Sequence, residues 1–242
     1  MIRYIELRGQ VYEYELLRKD VKNLNLRVHA DGRIFVSANP RISVRDVDEF
    51  IQKNEEFILR SMERFSGLQE KGLSPQPSLC DGGTVPILGV KRSLTVVKGN
   101  RNEAQVLGDR VLVTVSDPGS EEAVKQAIRK LLERYSQKLI PALCNKIRVD
   151  FSKYGIAAPE LKFRRMVSRW GSCCPSTGTL TFNKFLICVP PECIEYVITH
   201  EFAHFLIADH SPAFHRLMSE LMPDWKIKKK MLEPYGALLH QL

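Results

Sequence analysis

Apolar and polar residues alternate along roughly the first 40 residues, a pattern typical of β-strands with one buried face. The clearest example is LNLRVHADGRIFVSANP, where two alternating runs flank Asp31 and Gly32. Because an Asp-Gly pair tolerates the positive φ angles of a tight turn, this stretch predicts a β-hairpin.

The period then changes to that of a helix. Ser43 is a favourable N-cap, and apolar residues recur with helical spacing as far as residue 65, which predicts a single helix. Residues 66–83 are rich in Gly, Pro and Ser and predict a loop. Three further strands are predicted in the segments TVPILGV, RSLTVVKG and DRVLVTVS.

Helical patterns dominate the second half of the chain. A long helix is predicted from Ser120, where Glu121 and Glu122 suit the positive end of the helix dipole. Pro141 is expected to kink this helix or divide it in two. A strand pair joined by a Ser-Thr-Gly turn follows, then a helix opened by two prolines, and then a helix with Ser211 as its N-cap.

Strands followed by helices predict an α+β fold. We predict two domains, a mostly β N-terminal region with one helix at 1–117 and a helical domain at 118–242 that carries the histidines. We find no internal repeat in the sequence.

Composition adds little to this picture. The 242 residues are 44% hydrophobic and 26% charged, as in ordinary globular proteins. The net charge of +8 allows, without requiring, a weak attraction to nucleic acids. The charged N-terminus lacks an apolar signal region, and no apolar run approaches the roughly 20 residues that span a bilayer. We therefore expect a cytoplasmic protein without a membrane partner, whose six cysteines are reduced thiols.

Four of the six histidines lie in the segment THEFAHFLIADHSPAFH. Residues four apart on a helix share one face, so His200 and His204 can direct two ring nitrogens at one metal ion. Glu201 is rotated by about 100° from His200 and can take a proton from a metal-activated water. The H-E-x-x-H spacing on a predicted helix therefore indicates a catalytic Zn²⁺ site with Glu201 as the general base.

A catalytic zinc site needs a third protein ligand and an open position. On a continuous helix His210 would lie about 15 Å along the axis from His200, too far to share an ion. Because Pro212 disfavours helical backbone in the residue before it, the helix is predicted to stop, which lets His210 turn back to the ion. His215 and Glu220, on the following helix, are alternative third ligands.

The strand pair before the histidines offers candidate substrate-binding residues. An exposed edge strand can bind an extended peptide by adding it to the sheet. Arg169 could then bind a carboxylate, a phosphate or a developing oxyanion. The alternative is structural, with Arg169 paired to a local acid and Trp170 packed in the core.

Two other features have weaker functional interpretations. A second zinc site could be built from four cysteines, although their spacing lacks paired C-x-x-C motifs. These are Cys173, Cys174, Cys188 and Cys193. The basic run KIKKK at 226–230 is typical of a solvated helix face, with phosphate contact as the alternative.

The segment 167–225 resembles the YgjP-like family of zinc metallopeptidases, relatives of the WLM and SprT groups. The family is marked by R-W-G-S-C, by a strand that contains an Asn, and by H-E-L-x-H-x5-H-S-x-x-F-W. Here these motifs are residues 169–173, Asn183 and the segment from His200 to Phe214. The N-terminal hairpin, the helix after it and VPILGVKRSL also resemble the family, so the likeness covers nearly the whole chain.

The chain departs from the family pattern at three positions. Phe202 replaces the usual Leu, His215 stands where Trp is usual, and Cys174 stands where Ser is common. The change at 202 is harmless because both residues are apolar. The change at 215 leaves the role of His215 open, either in contact with substrate or behind the metal ligands.

The resemblance implies a zincin-like domain with a small antiparallel sheet beside the H-E-x-x-H helix. It implies one Zn²⁺ per chain held by His200, His204 and His210, with Glu201 as the base. A peptide or protein is the expected substrate. Because a UTP pyrophosphatase activity is also attached to the family name, a nucleotide is the first alternative, and a protein or protease associated with nucleic acids is the second.

Overall fold

The computed structural model describes residues 1–28, 32–70 and 78–241. The chain divides into two compact units, Met1–Ser74 and Pro75–Leu242. This division falls earlier than the domain boundary predicted at 117/118. The reason is that the strands between residues 84 and 115 pack on the long helix of the second unit and share its core.

The first unit begins with a four-stranded sheet of order β1-β2-β4-β3. Its strands are β1 (Ile2–Leu7), β2 (Gln10–Arg18), β3 (Asn25–Val28) and β4 (Ile34–Ala38). The strands β3 and β4 pair antiparallel, so the predicted hairpin is present, although three residues of its turn, 29–31, lie outside the described residues. β2 and β4 pair in parallel, and alternate residues of β4 are buried in the core of this unit.

Two helices follow where a single helix is predicted, so that prediction is wrong. They are α1 (Val44–Lys53) and α2 (Glu55–Glu70), and Ser43 caps α1 as predicted. The break falls at Asn54, whose side chain donates to the carbonyl of Phe50 at 2.8 Å. Asn competes for backbone hydrogen bonds in this way and favours helix ends. The predicted loop also begins too early, since 66–70 are helical, and 71–77 lie outside the described residues.

The second unit begins with another four-stranded sheet, of order β5-β6-β8-β7. Its strands are β5 (Thr84–Ile87), β6 (Val90–Lys98), β7 (Glu103–Leu107) and β8 (Arg110–Val115). As in the first sheet, an antiparallel hairpin is followed by a parallel pair and then by an antiparallel pair. The structure thus contains an internal repeat of strand order that the sequence pattern did not reveal.

A long helix, α3 (Glu121–Arg148), follows the second sheet. Ser120 is its N-cap, accepting from the amide of Ala123 at 3.3 Å. The helix runs through Pro141 without being divided. Its buried face, which includes Leu131 and Leu132, packs on β7 and β8.

The rest of the second unit combines a small sheet with four helices. The sheet contains β9 (Glu160–Arg164), β10 (Gly171–Cys174) and β11 (Thr179–Asn183), in the order β10-β11-β9. The helices are α4 (Pro191–Ala203), α5 (Pro212–Leu221), α6 (Trp225–Leu232) and α7 (Leu238–Gln241). Short 3-10 helices lie at Val149–Tyr154, Pro175–Thr177, Leu186–Cys188 and Glu233–Ala237. The fold is α+β, as predicted.

The small sheet is mixed and not purely antiparallel. β10 and β11 form the predicted antiparallel pair, whereas β9 joins β11 in parallel. This order leaves β10 at an edge, where it packs against α4. No helix among the described residues is long and apolar enough to cross a lipid bilayer.

Candidate metal centre

Two histidines reach the site from the last turn of α4. His200 lies inside the helix and His204 is its C-terminal cap residue, so the two rings project from one face one turn apart. Their Nε2 atoms lie 3.2 Å from each other. The other ring nitrogen of His204, Nδ1, lies 3.0 Å from the carbonyl of Ile207, which fixes the orientation of that ring.

The third histidine reaches the site because the chain leaves the helix after His204. α4 ends at Ala203 and α5 begins at Pro212, as the sequence predicts. The intervening turn brings the Nε2 atom of His210 to 3.0 Å from that of His200.

A buried aromatic ring supports all three imidazoles. Phe214, 1% exposed, has its ring centroid 5.0, 4.6 and 5.0 Å from those of His200, His204 and His210. It lies in the first turn of α5, so the start of this helix holds the histidine rings in place. The role of Phe214 follows from these contacts and has no signal in the spacing of the histidines.

The three ring nitrogens fit one small cation. Their candidate ligand atoms all lie within 4.8 Å of one another. Two nitrogens bound to Zn²⁺ at about 2.0–2.1 Å with tetrahedral geometry lie about 3.3 Å apart, close to the 3.0 and 3.2 Å found here. Burial, followed by the neighbouring His204 and His210, lowers the pKa of His200 to about 3, so its ring is neutral and can donate a lone pair.

The next residue, Glu201, lies buried beside the cluster, with 6% of its surface exposed. Burial raises its pKa to about 7, and Arg169 opposes part of that shift. Gly171 on β10 provides the space for this carboxylate. A Cβ atom at position 171 would lie 2.7 Å from both Cγ and Oε1 of Glu201. A residue with any side chain at 171 would therefore displace the carboxylate.

The sequence of residues 22–235 matches the family model of the YgjP-like metallopeptidase domain. The chain belongs to this family. The resemblance carried by the sequence motifs is thus confirmed over nearly the whole chain. The comparison with curated proteins finds no match. The family implies a metal-dependent hydrolase that acts on proteins, and it gives no support to a nucleotide or nucleic-acid partner.

In this YgjP-like domain the family Asn fixes the segment before β10. Asn183 is fully buried, and its side-chain amide donates to the carbonyls of Met166 at 2.6 Å and Arg169 at 3.2 Å. The side-chain oxygen of Asn183 accepts from the backbone amide of Phe185 at 3.1 Å. The backbone amide of Asn183 donates to the carbonyl of Trp170 at 2.8 Å. Asn183 therefore acts through the backbone and does not line the site itself.

A cleft of about 720 Å³ lies over the YgjP-like site. Its walls include the three clustered histidines, Glu201, the β10 residues Gly171, Ser172 and Cys173, and Arg169 and Trp170 just before them. Arg169 is exposed, whereas Trp170 is only 9% exposed and packs in the core. Trp170 therefore has the structural role expected of a core residue, whereas Arg169 faces the cleft and is not buried.

The alternative ligands lie elsewhere in the YgjP-like domain. The ring of His215 stacks on that of Trp225, with centroids 5.4 Å apart and planes inclined by 18°. Together with Glu220 it lines a separate depression between α5 and α6. Neither residue belongs to the cluster of candidate ligands.

Among the described residues, no cysteine belongs to a cluster of three or more candidate metal ligands. Within the described ranges, the group of His200, His204 and His210 is the one set of three or more candidate ligands found close together. Cys188 and Cys193 are buried and Cys174 is exposed. Cys173 lines the cleft, where burial and then Glu201 raise its pKa to about 12, so this thiol is protonated near neutral pH.

Proposed function

We propose that this protein is a zinc-dependent peptidase in which Glu201 is the general base. The observation that carries the proposal is the placement of one buried carboxylate beside three converging imidazoles at the floor of a cleft. A purely structural zinc site would be closed by four ligands and would need neither the open side nor the carboxylate.

In this proposal His200, His204 and His210 hold one Zn²⁺ per chain. Three imidazole ligands would leave a coordination position free, which is typical of catalytic zinc. The bound ion supplies Lewis acidity, which makes a water molecule acidic and polarises the carbonyl of the scissile bond.

The protein's own proton carrier is Glu201. A base works best when its pKa lies near the operating pH, and burial brings the pKa of Glu201 to about 7. As a carboxylate it accepts a proton from the attacking water. As the resulting carboxylic acid it donates that proton to the amine nitrogen that leaves. Gly171 keeps the carboxylate in place for both transfers, since a larger residue would occupy its position.

The edge strand β10 supports a peptide as the substrate. It pairs with β11 on one side only, and its residues line the cleft. An extended peptide can therefore pair with its free backbone groups beside the histidines. Asn183 would make this edge rigid, because it ties down the backbone that enters β10.

The test is hydrolysis by the zinc-loaded protein of a mixed peptide library, with nucleoside triphosphates assayed in parallel. We expect peptide cleavage that stops when a chelator removes the metal. Glu201→Gln should bind zinc as the wild type does and lose about 10²–10⁴-fold in turnover, because Gln cannot accept the proton. Triphosphate hydrolysis without peptide cleavage would contradict the proposal, and so would full activity of Glu201→Gln.

A further inference from the structure

Resting on the proposed peptidase function, we infer that the substrates are acidic peptides, with a carboxylate near the scissile bond bound by Arg169. The inference comes from the charges that line the cleft. Among the described residues of its wall, Glu201 is the one carboxylate, and it is buried. Arg169 is the exposed cation there. A bound divalent ion adds further positive charge.

The guanidinium of Arg169 is attracted to the buried Glu201, but among the described residues it forms no hydrogen bond or ion pair, so it is available for a ligand. The ion pairs found in the described part of the chain involve other cations. The backbone of Arg169, in contrast, is fixed, because the side-chain amide of the buried Asn183 donates hydrogen bonds to the carbonyls of Arg169 and Met166. A guanidinium carried on a fixed backbone loses less freedom on binding, and its planar fork matches a carboxylate with two parallel hydrogen bonds.

The exposed acid beside His210 does not line the cleft. This acid, Asp209, accepts from the amide of Ser211 at 3.3 Å. The cleft therefore attracts anions, and a substrate residue with a positive charge would be repelled.

A peptide has two sources of a carboxylate, an acidic side chain and the free C-terminus. Both have the same charge and the same geometry for Arg169. The two sources are separated by comparing peptides with internal Glu, Gln or Lys at each position near the cleavage site, each made with a free and with an amidated C-terminus.

Two measurements test the inference. Binding of labelled peptides is measured by fluorescence anisotropy with the zinc-loaded Glu201→Gln variant, in which turnover is expected to be slow. Hydrolysis of the same peptides is measured with the wild type. We expect Glu-containing or free-acid peptides to bind about tenfold or more tightly than their Gln or amide counterparts, with a preference that weakens as salt rises. The carboxylate source that gives the preference is the group that Arg169 binds.

The variants at 169 make the test specific. Arg169→Gln should abolish the preference for acidic peptides, and Arg169→Glu should reverse it in favour of Lys. Arg165→Gln is the matched control, since Arg165 is exposed in the same segment and does not line the cleft. It should keep the preference of the parent protein.

The possible failures are distinguishable. Peptide hydrolysis with no charge preference, or a preference that survives Arg169→Gln, overturns this inference and leaves the peptidase function intact. Displacement of neutral peptides by single-stranded DNA or a nucleoside triphosphate, with no preference for acidic peptides, also overturns it. The absence of any peptide hydrolysis is a failure of the proposed function itself.

Discussion

Two segments of the chain share one architecture and differ in what they support. Residues 2–53 and 84–148 each contain four strands, with the same order and pairing, followed by a helix. In each segment the first two strands are joined by a turn of two residues at positive φ. These residues are Arg8 and Gly9 between β1 and β2, and Leu88 and Gly89 between β5 and β6. Both helices have a Ser N-cap, and each buries a valine and an isoleucine four and eight residues after it.

The difference lies in the helix. α1 ends after ten residues, at Asn54, and buries Val47 and Ile51 in the core of its own unit. α3 continues for 28 residues and packs on its sheet and on α4, the helix that carries His200. Ser136 of α3 also donates to the carbonyl of Lys184, next to the buried Asn183, at 2.7 Å. The longer helix therefore contacts the elements that carry the site, whereas the shorter helix buries its apolar residues in the core of its own unit.

The largest expected effect comes from truncating the matched isoleucines. Ile51→Ala and Ile128→Ala each remove a fully buried side chain and should lower the free energy of unfolding of their units by about 2–5 kcal/mol. Only Ile128→Ala should also weaken zinc binding and peptide hydrolysis. Calorimetry together with a zinc competition titration measures both effects. An equal loss of zinc affinity in Ile51→Ala would break the distinction between the two segments.

A smaller effect is expected at the matched helix caps. Ser43 forms a reciprocal capping box with Asp46, whereas Ser120 accepts from one amide. Each Ser→Ala change should cost about 1 kcal/mol. Because Ser43→Ala also removes the hydrogen bond that the Ser43 hydroxyl donates to the Asp46 carboxylate at 2.8 Å, it should cost more than Ser120→Ala. Urea unfolding of the two variants measures the difference, and a larger cost at 120 would contradict the assignment.

The smallest effect is confined to alkaline solution. Tyr14 occupies the place in β2 that Leu94 occupies in β6, and burial, with its hydrogen bond to Asp48, raises the pKa of Tyr14 from 10.0 to about 12. The unfolded chain thus loses this proton at lower pH than the folded one. The stability contribution is complete below pH 10 and is lost as pH rises toward about 12. The free energy of unfolding, measured from pH 9 to 12, should fall less steeply with pH in Tyr14→Phe than in the wild type. Identical slopes in the two proteins would contradict this prediction.

Local signals in the sequence predict much of the fold. Ser43, Ser120 and Ser211 mark three observed helix starts, and the Asp31-Gly32 pair lies between two observed antiparallel strands. The repeat of strand order has no clear signal in the sequence because corresponding positions share polarity and not identity, as Tyr14 and Leu94 show. The parallel pairs have none because they join strands that are not consecutive in the chain, which no local periodicity encodes.

The site is predictable from sequence where its chemistry is local. The spacing of His200 and His204 on a helix already places two imidazoles together, and the structure brings His210 to them. Gly171 and Phe214 could not be assigned a physical role in this way. The first matters because of the space it leaves for a carboxylate on another element, and the second because of the rings it contacts. Such roles exist only after the chain has folded.

The most direct test of the central claim is the zinc content of three proteins in competition with a chelator. The wild type should retain about one zinc per chain at neutral pH. His210→Ala should release zinc far more readily, because two imidazoles remain, whereas His215→Ala should stay close to the wild type since its ring stacks on Trp225 outside the cluster. A wild type that binds no zinc, or a His215→Ala variant that loses it first, would contradict the account.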